Sequence, residues 1–320
     1  PYRRQRQMCI RDSCVSPQSY YFTLNYSETN QYDSYNSALN QAIEDGYVNA
    51  DNIKNYVCFG SDVTPCPEEN LYRIIGVFNG QIKLIKADYT PSSVLGTDGE
   101  YSNEAYTNSE YATYRGSLTT IDRYYRNYAT GTNLWEDSSL NSVNLNVNYL
   151  NSLETNWQNL IADTTWYTGG MYWVNAAQAN AQTAYNYEVG DNKDATKYEN
   201  SKIGLMYVSD YYYAASPEYW SIQGCANANS LNPDGLYGPE YDYRSSTNDN
   251  WMYLGLWEWT ISHTLNYDNR AYYVNGSGYV GDATVNARFY GIRPVFNLLS
   301  TVKTISGSGT KDNPIILSVS

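Results

Sequence analysis

The stretch "LYRIIGVFNGQIKLIKAD", residues 71–88, restricts the possible folds of this chain more than any other. It sets Asn79-Gly80 between two β-rich runs. Asn and Gly tolerate the left-handed backbone that a two-residue type I′ turn requires, and the twist of that turn suits paired strands. An antiparallel hairpin is expected, with Ile74, Ile82, Leu84 and Ile85 in the core.

Elsewhere the patterns are less decisive. In "NVNYLNSLETNWQNLIAD", residues 146–163, Val147, Leu150, Leu153, Trp157 and Ile161 recur at three- and four-residue steps, which predicts a helix. Shorter helices are expected over 34–45, stopped by Gly46, and over 117–128, where Leu118, Ile121 and Tyr125 share a face. Strand-like runs follow at 202–210, 251–257, 270–275 and 290–298, and the intervening 164–200 and 224–250 read as long loops.

Composition limits the partners. A formal charge of −13 disfavours nucleic acid, whose phosphates need clustered Lys and Arg. No stretch reaches the roughly 18 apolar residues of a membrane span. The sole histidine, His263, excludes histidine-paired triads and three-histidine zinc sites, and it reads as a loop or surface residue. No phosphate loop or marked carboxylate pair is present, so no catalytic residue, metal ligand or cofactor is assigned. Calcium stays open, because Asp and Asn are suitable ligands, although "DNKDAT" lacks an EF-hand pattern.

Cys58 and Cys66 flank the Gly, Ser, Asp and Pro residues of "CFGSDVTPC", a natural place for a local disulfide, with two free thiols as the alternative. A disulfide implies an oxidising, extracytoplasmic setting. Cys225 has no evident partner. The basic start "RRQRQMCIRDS", residues 3–13, resembles translated sequencing-adapter read-through, so residues 1–13 are expected to carry no structure and a native N-terminus, with any anchor, to be missing.

The succession "NYVCFGSD", "NLYRIIGVFNGQIKLIKAD", "KIGLMYVSDYYYAASP", "WMYLGLWEWTIS", "AYYVNGSGYV" and "YGIRPVFNL" resembles bacterial surface proteins built on a C-type-lectin-like domain allied to the formylglycine-generating-enzyme branch of that fold. The resemblance implies an α+β fold: a small twisted antiparallel sheet, one or two flanking helices and long irregular loops. It divides the chain into 1–13, an N-terminal helical or linker segment over 14–52, the lectin-like domain over 53–299, and a C-terminal spacer or strand over 300–320. It carries over the scaffold and not the activity, because the enzyme branch relies on a cysteine pair near the end of the fold. Only Cys225 lies in that half here. The resemblance makes Arg293 structural, satisfying loop carbonyls beside Pro294, with an anion-binding arginine as the alternative.

The run from His263 to Tyr290 concentrates contact chemistry. Tyr267, Tyr272, Tyr273, Tyr279 and Tyr290 offer large area at small entropic cost, and Asp268, Asn269, Arg270, Asn275, Asp282 and Asn286 offer adaptable polar groups, as in antibody paratopes. The plainer alternative is codon bias, since Tyr and Asn are abundant throughout, with 37 Tyr in 320 residues. Adenine-directed retroelement diversification of such a stretch is compatible with this composition. Alternation allows only one of Tyr272 and Tyr273 to face outward in a regular strand. The expected function is a secreted or cell-surface binding protein, adhesin-like and not an enzyme, contacting a protein or glycan at a cell or phage surface. A carbohydrate-active enzyme using a carboxylate pair, or a pilin-like structural subunit, are the alternatives.

Overall fold

The computed structural model describes residues 53–78, 80–107, 120–171, 179–214, 250–276, 278 and 280–319. Residues 1–13, the expected helix over 34–45, Asn79, Cys14, Cys225, Tyr279 and nearly all of 224–250 lie outside the described residues.

Elements follow one another as β1 (Tyr56–Cys58), β2 (Leu71–Phe78), β3 (Gln81–Lys86), helix α1 (Ser92–Leu95), β4 (Tyr101–Thr107) and β5 (Thr120–Tyr125). The widened helix α2 (Leu140–Tyr149) then continues into the short turns α3 (Leu150–Ser152) and α4 (Thr155–Gln158). Next come β6 (Thr164–Tyr167), α5 (Ala181–Glu188), β7 (Tyr198–Ser201), β8 (Ile203–Gly204) and α6 (Val208–Tyr213). The chain ends with β9 (Glu258–His263), β10 (Arg270–Val274), β11 (Val280–Thr284), β12 (Phe289–Tyr290), β13 (Val295–Asn297), β14 (Val302–Ser306) and β15 (Ile316–Val319). Small antiparallel sheets mixed with short helices make the fold α+β.

The hairpin of residues 71–88 is the centre of the largest sheet, whose order is β1-β2-β3-β13-β8. Phe78 pairs directly with Gln81 across the turn, and Gly80 takes φ +78°, the region that only glycine enters without strain. Ile74, Ile82, Leu84 and Ile85 are all buried, because strands flanked on both sides and covered on both faces read as continuous apolar runs. Phe59 and Trp157 pack with Phe296 of β13 on this sheet, with ring centroids 5.0 Å apart in each contact that Phe59 makes with the other two.

Five expectations are corrected. Residues 120–125 of the expected helix over 117–128 form β5, held between β4 and β12. Its inward residues Ile121 and Tyr124 lie three apart and so imitate a helical step. Residues 251–257 form no strand: 251–256 are a buried turn-rich segment and Trp257 is 45% exposed. The expected loop 164–200 holds β6, α5 and β7. The helix over 146–163 is realised in pieces, since Leu153 adopts an extended backbone and separates α3 from α4. Leu153, Trp157 and Ile161 are buried as expected, but Val147 is exposed, because the wider turn of α2 rotates it off the inward face. Only the first two residues of the 202–210 run after Lys202 are a strand; Val208–Tyr213 is helical.

The tail is part of the folded body. β14 and β15 form a hairpin, and β1 exchanges hydrogen bonds with Ile315 on its free side (Cys58 N to Ile315 O, 3.0 Å; Ile315 N to Tyr56 O, 2.8 Å). Cys58 and Cys66 form a disulfide with Cα atoms 5.8 Å apart, closing the loop after β1. Among the described residues no helix is long and apolar enough to cross a membrane.

Candidate ligand-binding surface

β9, β10 and β11 make a three-stranded antiparallel sheet whose two ends carry different chemistry. At one end, residues 265–269 between β9 and β10 are all exposed, with Tyr267 50% exposed. The loop is pinned from beneath by Asn133, which is buried. Its side-chain amide N–H groups reach the carbonyls of Tyr267 (2.6 Å), Thr264 (3.2 Å) and Arg270 (3.2 Å), while its backbone N–H donates to Asp268 O (2.6 Å). Val285 N donates to Asn269 O (3.0 Å), and Arg126 N and Asn127 N both donate to Val285 O. Three segments, 127–133, 264–270 and 285–288, therefore interlock through their backbones and present one surface.

That surface carries Tyr267, Asp268, Asn269 and Asn286, all exposed, together with Tyr128, which is 60% exposed. Tyr128 rests on Tyr125 (centroids 4.7 Å), which in turn meets Phe289 edge-on (5.3 Å). Asn286 lies against Gly131, where an added Cβ would come within 2.6 Å of its Nδ2. Arg270 is half-buried and paired with Asp282, and its guanidinium carbon lies 5.6 Å from the Tyr267 ring centre.

At the other end Tyr273 is half-buried beside the exposed Trp257, with Tyr290 beneath both (4.6 Å from Tyr273 and 5.3 Å from Trp257). Offset and edge-on aromatic contacts of this kind hold ring planes in fixed orientations.

Four of the expected contact residues are not available to a ligand. Tyr272 is 1% exposed and donates its hydroxyl to Met171 O (2.7 Å), because alternation along β10 turns it into the core opposite Tyr273. Asn275 and Tyr290 are buried, the latter under Trp257 and Trp259. The Asp282 carboxylate is covered by Arg270. Asn133 and Tyr128 leave no signal in the sequence, because they lie more than 130 residues before the loop they complete. A "TGTN" turn next to an Asn gives no hint of which strand it will meet.

Arg293 is fully buried and donates to the Glu258 carboxylate (2.7 Å) and to Met252 O (2.8 Å). Its structural reading fits these contacts. His263 is a correction: it is buried at the end of β9, and burial, with help from Arg126 and Lys197, lowers its pKa to about 3. The buried carboxylates are occupied by the fold. Glu188 accepts from the backbone N–H groups of Val208 and Ser209 (2.9 Å each) and from the Ser262 hydroxyl, Asp210 accepts from Lys83 and from Tyr207 N, and Glu258 pairs with Arg293. No cluster of three or more His, Cys, Asp or Glu side chains able to hold a metal ion occurs among the described residues. Comparison of this chain with protein-family models, with curated proteins and with solved structures gave no match.

Proposed function

We propose that this chain is a binding protein of the extracellular or cell-surface environment, presenting the three-segment surface around Tyr267 and Tyr128 to a protein or glycan. The observation that carries this reading is the Asn133 anchor. Exposed tyrosines on a loop whose carbonyls are already hydrogen-bonded lose little conformational freedom on binding, which is what makes a contact surface productive. The Cys58–Cys66 disulfide supports an oxidising compartment. The C-type-lectin-like resemblance supports the same use of loops on a rigid sheet, and diversification of residues 263–290 would be tolerated at the exposed positions, Tyr267, Asp268, Asn269 and Asn286.

The experiment is a screen of an oligosaccharide array and a panel of purified bacterial and phage surface proteins, using the wild type and a Tyr267→Ala/Tyr128→Ala double variant. Binding by the wild type that falls at least tenfold in the variant supports the reading. Binding that is unchanged in the variant, or turnover of a sugar substrate, overturns it.

A further inference from the structure

A cleft of about 430 Å³ opens between β3, β6, α5 and α6, built from elements that take no part in the loop surface. Its size is at the small end of the range of small-molecule sites. At its floor Lys83 Nζ donates to Asp210 Oδ2 at 2.6 Å, and both side chains are almost wholly buried. The ammonium is surrounded by the rings of Tyr207 (4.6 Å), Phe78 (5.3 Å) and Trp166 (5.7 Å). Among the described residues, Asp210 is the only hydrogen-bond acceptor of Lys83 Nζ, which leaves donor capacity on an ammonium with three N–H groups. Asn297 lines the same cleft. Its amide N–H donates to Thr164 Oγ1 (3.2 Å), but its buried Oδ1 has no partner among the described residues. A buried amide oxygen without a donor is costly, and a polar ligand removes that cost.

The chemistry restricts the ligand. An anion would meet a lysine already neutralised by Asp210 and the exposed Asp163 at the rim. A cation would compete with Lys83 for the aromatic rings. A neutral polyol fits: one hydroxyl donates to Asn297 Oδ1, a neighbouring one accepts from Lys83, and the C–H face lies on an aromatic wall. We infer that this cleft is a second binding site, for an uncharged sugar unit, distinct from the loop surface.

The test is saturation-transfer NMR and calorimetric titration with the methyl glycosides of glucose, galactose, mannose and N-acetylglucosamine, with inorganic phosphate and tetramethylammonium as charged probes. The variants are Asn297→Leu, which removes the acceptor, and Gln81→Trp, which fills the mouth from the half-buried start of β3. The expected result is binding of at least one glycoside, weakened about tenfold or more by each variant and unaffected by Tyr267→Ala. Melting temperatures identify a variant that has lost its fold; if Asn297→Leu does so, Gln81→Trp decides alone. Binding of no glycoside, binding undiminished by the variants, or preference for either charged probe overturns the inference.

Discussion

Arg293 shows how far a single residue can be read. The lectin-like resemblance implies a structural donor to loop carbonyls here, with an anion-binding arginine as the alternative, and one bond to a carbonyl, Met252 O, is present. The stronger partner, Glu258, was not legible, because an ion pair across 35 residues leaves no local pattern. Arg293→Ala should cost about 3–5 kcal/mol in urea unfolding, since it strands the Glu258 carboxylate in the interior. A loss below about 1 kcal/mol would mean that water reaches the pair. Two other buried groups oppose each other in pH. Burial raises the Glu188 pKa to about 7, against the hydrogen bonds of Ser209 and Ser262. The fold therefore favours its proton, and that contribution, complete below the ordinary value of 4.5, disappears as pH rises towards 7. His263 is held to about 3, first by burial and then by Arg126 and Lys197, with Asp194 opposing. Its contribution is present above 6.5 and is lost as pH falls. Between about 4.5 and 6.5 the two slopes offset one another. Glu188→Gln should therefore make stability fall more steeply with acid across that window than in the wild type, by up to about 1.4 kcal/mol per pH unit. Equal slopes in denaturant midpoints measured against pH would contradict the assignment.

At the scale of elements, local chemistry was legible wherever it decided the outcome. Asn-Gly between two β-rich runs gives the β2–β3 hairpin, and the period of two gives β10, with Tyr272 inward and Tyr273 half-exposed. Residues 120–125 carry a helix-like spacing at buried Ile121 and Tyr124 and yet form a strand, because β5 owes its conformation to hydrogen bonds from β4 and β12. The aromatic run 251–257 reads as a strand, yet its backbone serves Arg73 and Arg293 through the carbonyls of Trp251 and Met252. Gly80→Val should destabilise the hairpin by about 1–2 kcal/mol. An added Cβ there meets nothing within 4 Å, so the cost is conformational alone. Thermal unfolding without a shift would contradict the left-handed turn. The disulfide is the other local device. Replacing both Cys58 and Cys66 with Ser should lower stability by about 2–3 kcal/mol, the loop-closure value for so short a ring. Free thiols at both positions in oxidised protein, read by mass spectrometry of non-reduced peptides, would remove the bridge.

Over the whole molecule, long-range polar anchors hold irregular backbone onto small sheets. Buried Arg73, Arg126 and Arg293 donate to carbonyls of distant segments, and Asn133 does the same for the loop that carries Tyr267. Composition shows where Tyr and Asn are abundant, but only the assembled loops separate tyrosines that face solvent from those that hold the core. Affinity for a ligand found by screening, measured beside thermal melting for Tyr267→Ala and Tyr272→Ala, tests this division most directly. Tyr267→Ala should lose about 2 kcal/mol or more of binding with an unchanged melting temperature, and Tyr272→Ala should lose about 3–5 kcal/mol of stability. A Tyr267→Ala variant that binds as well as the wild type, or one that melts as early as Tyr272→Ala, would contradict it.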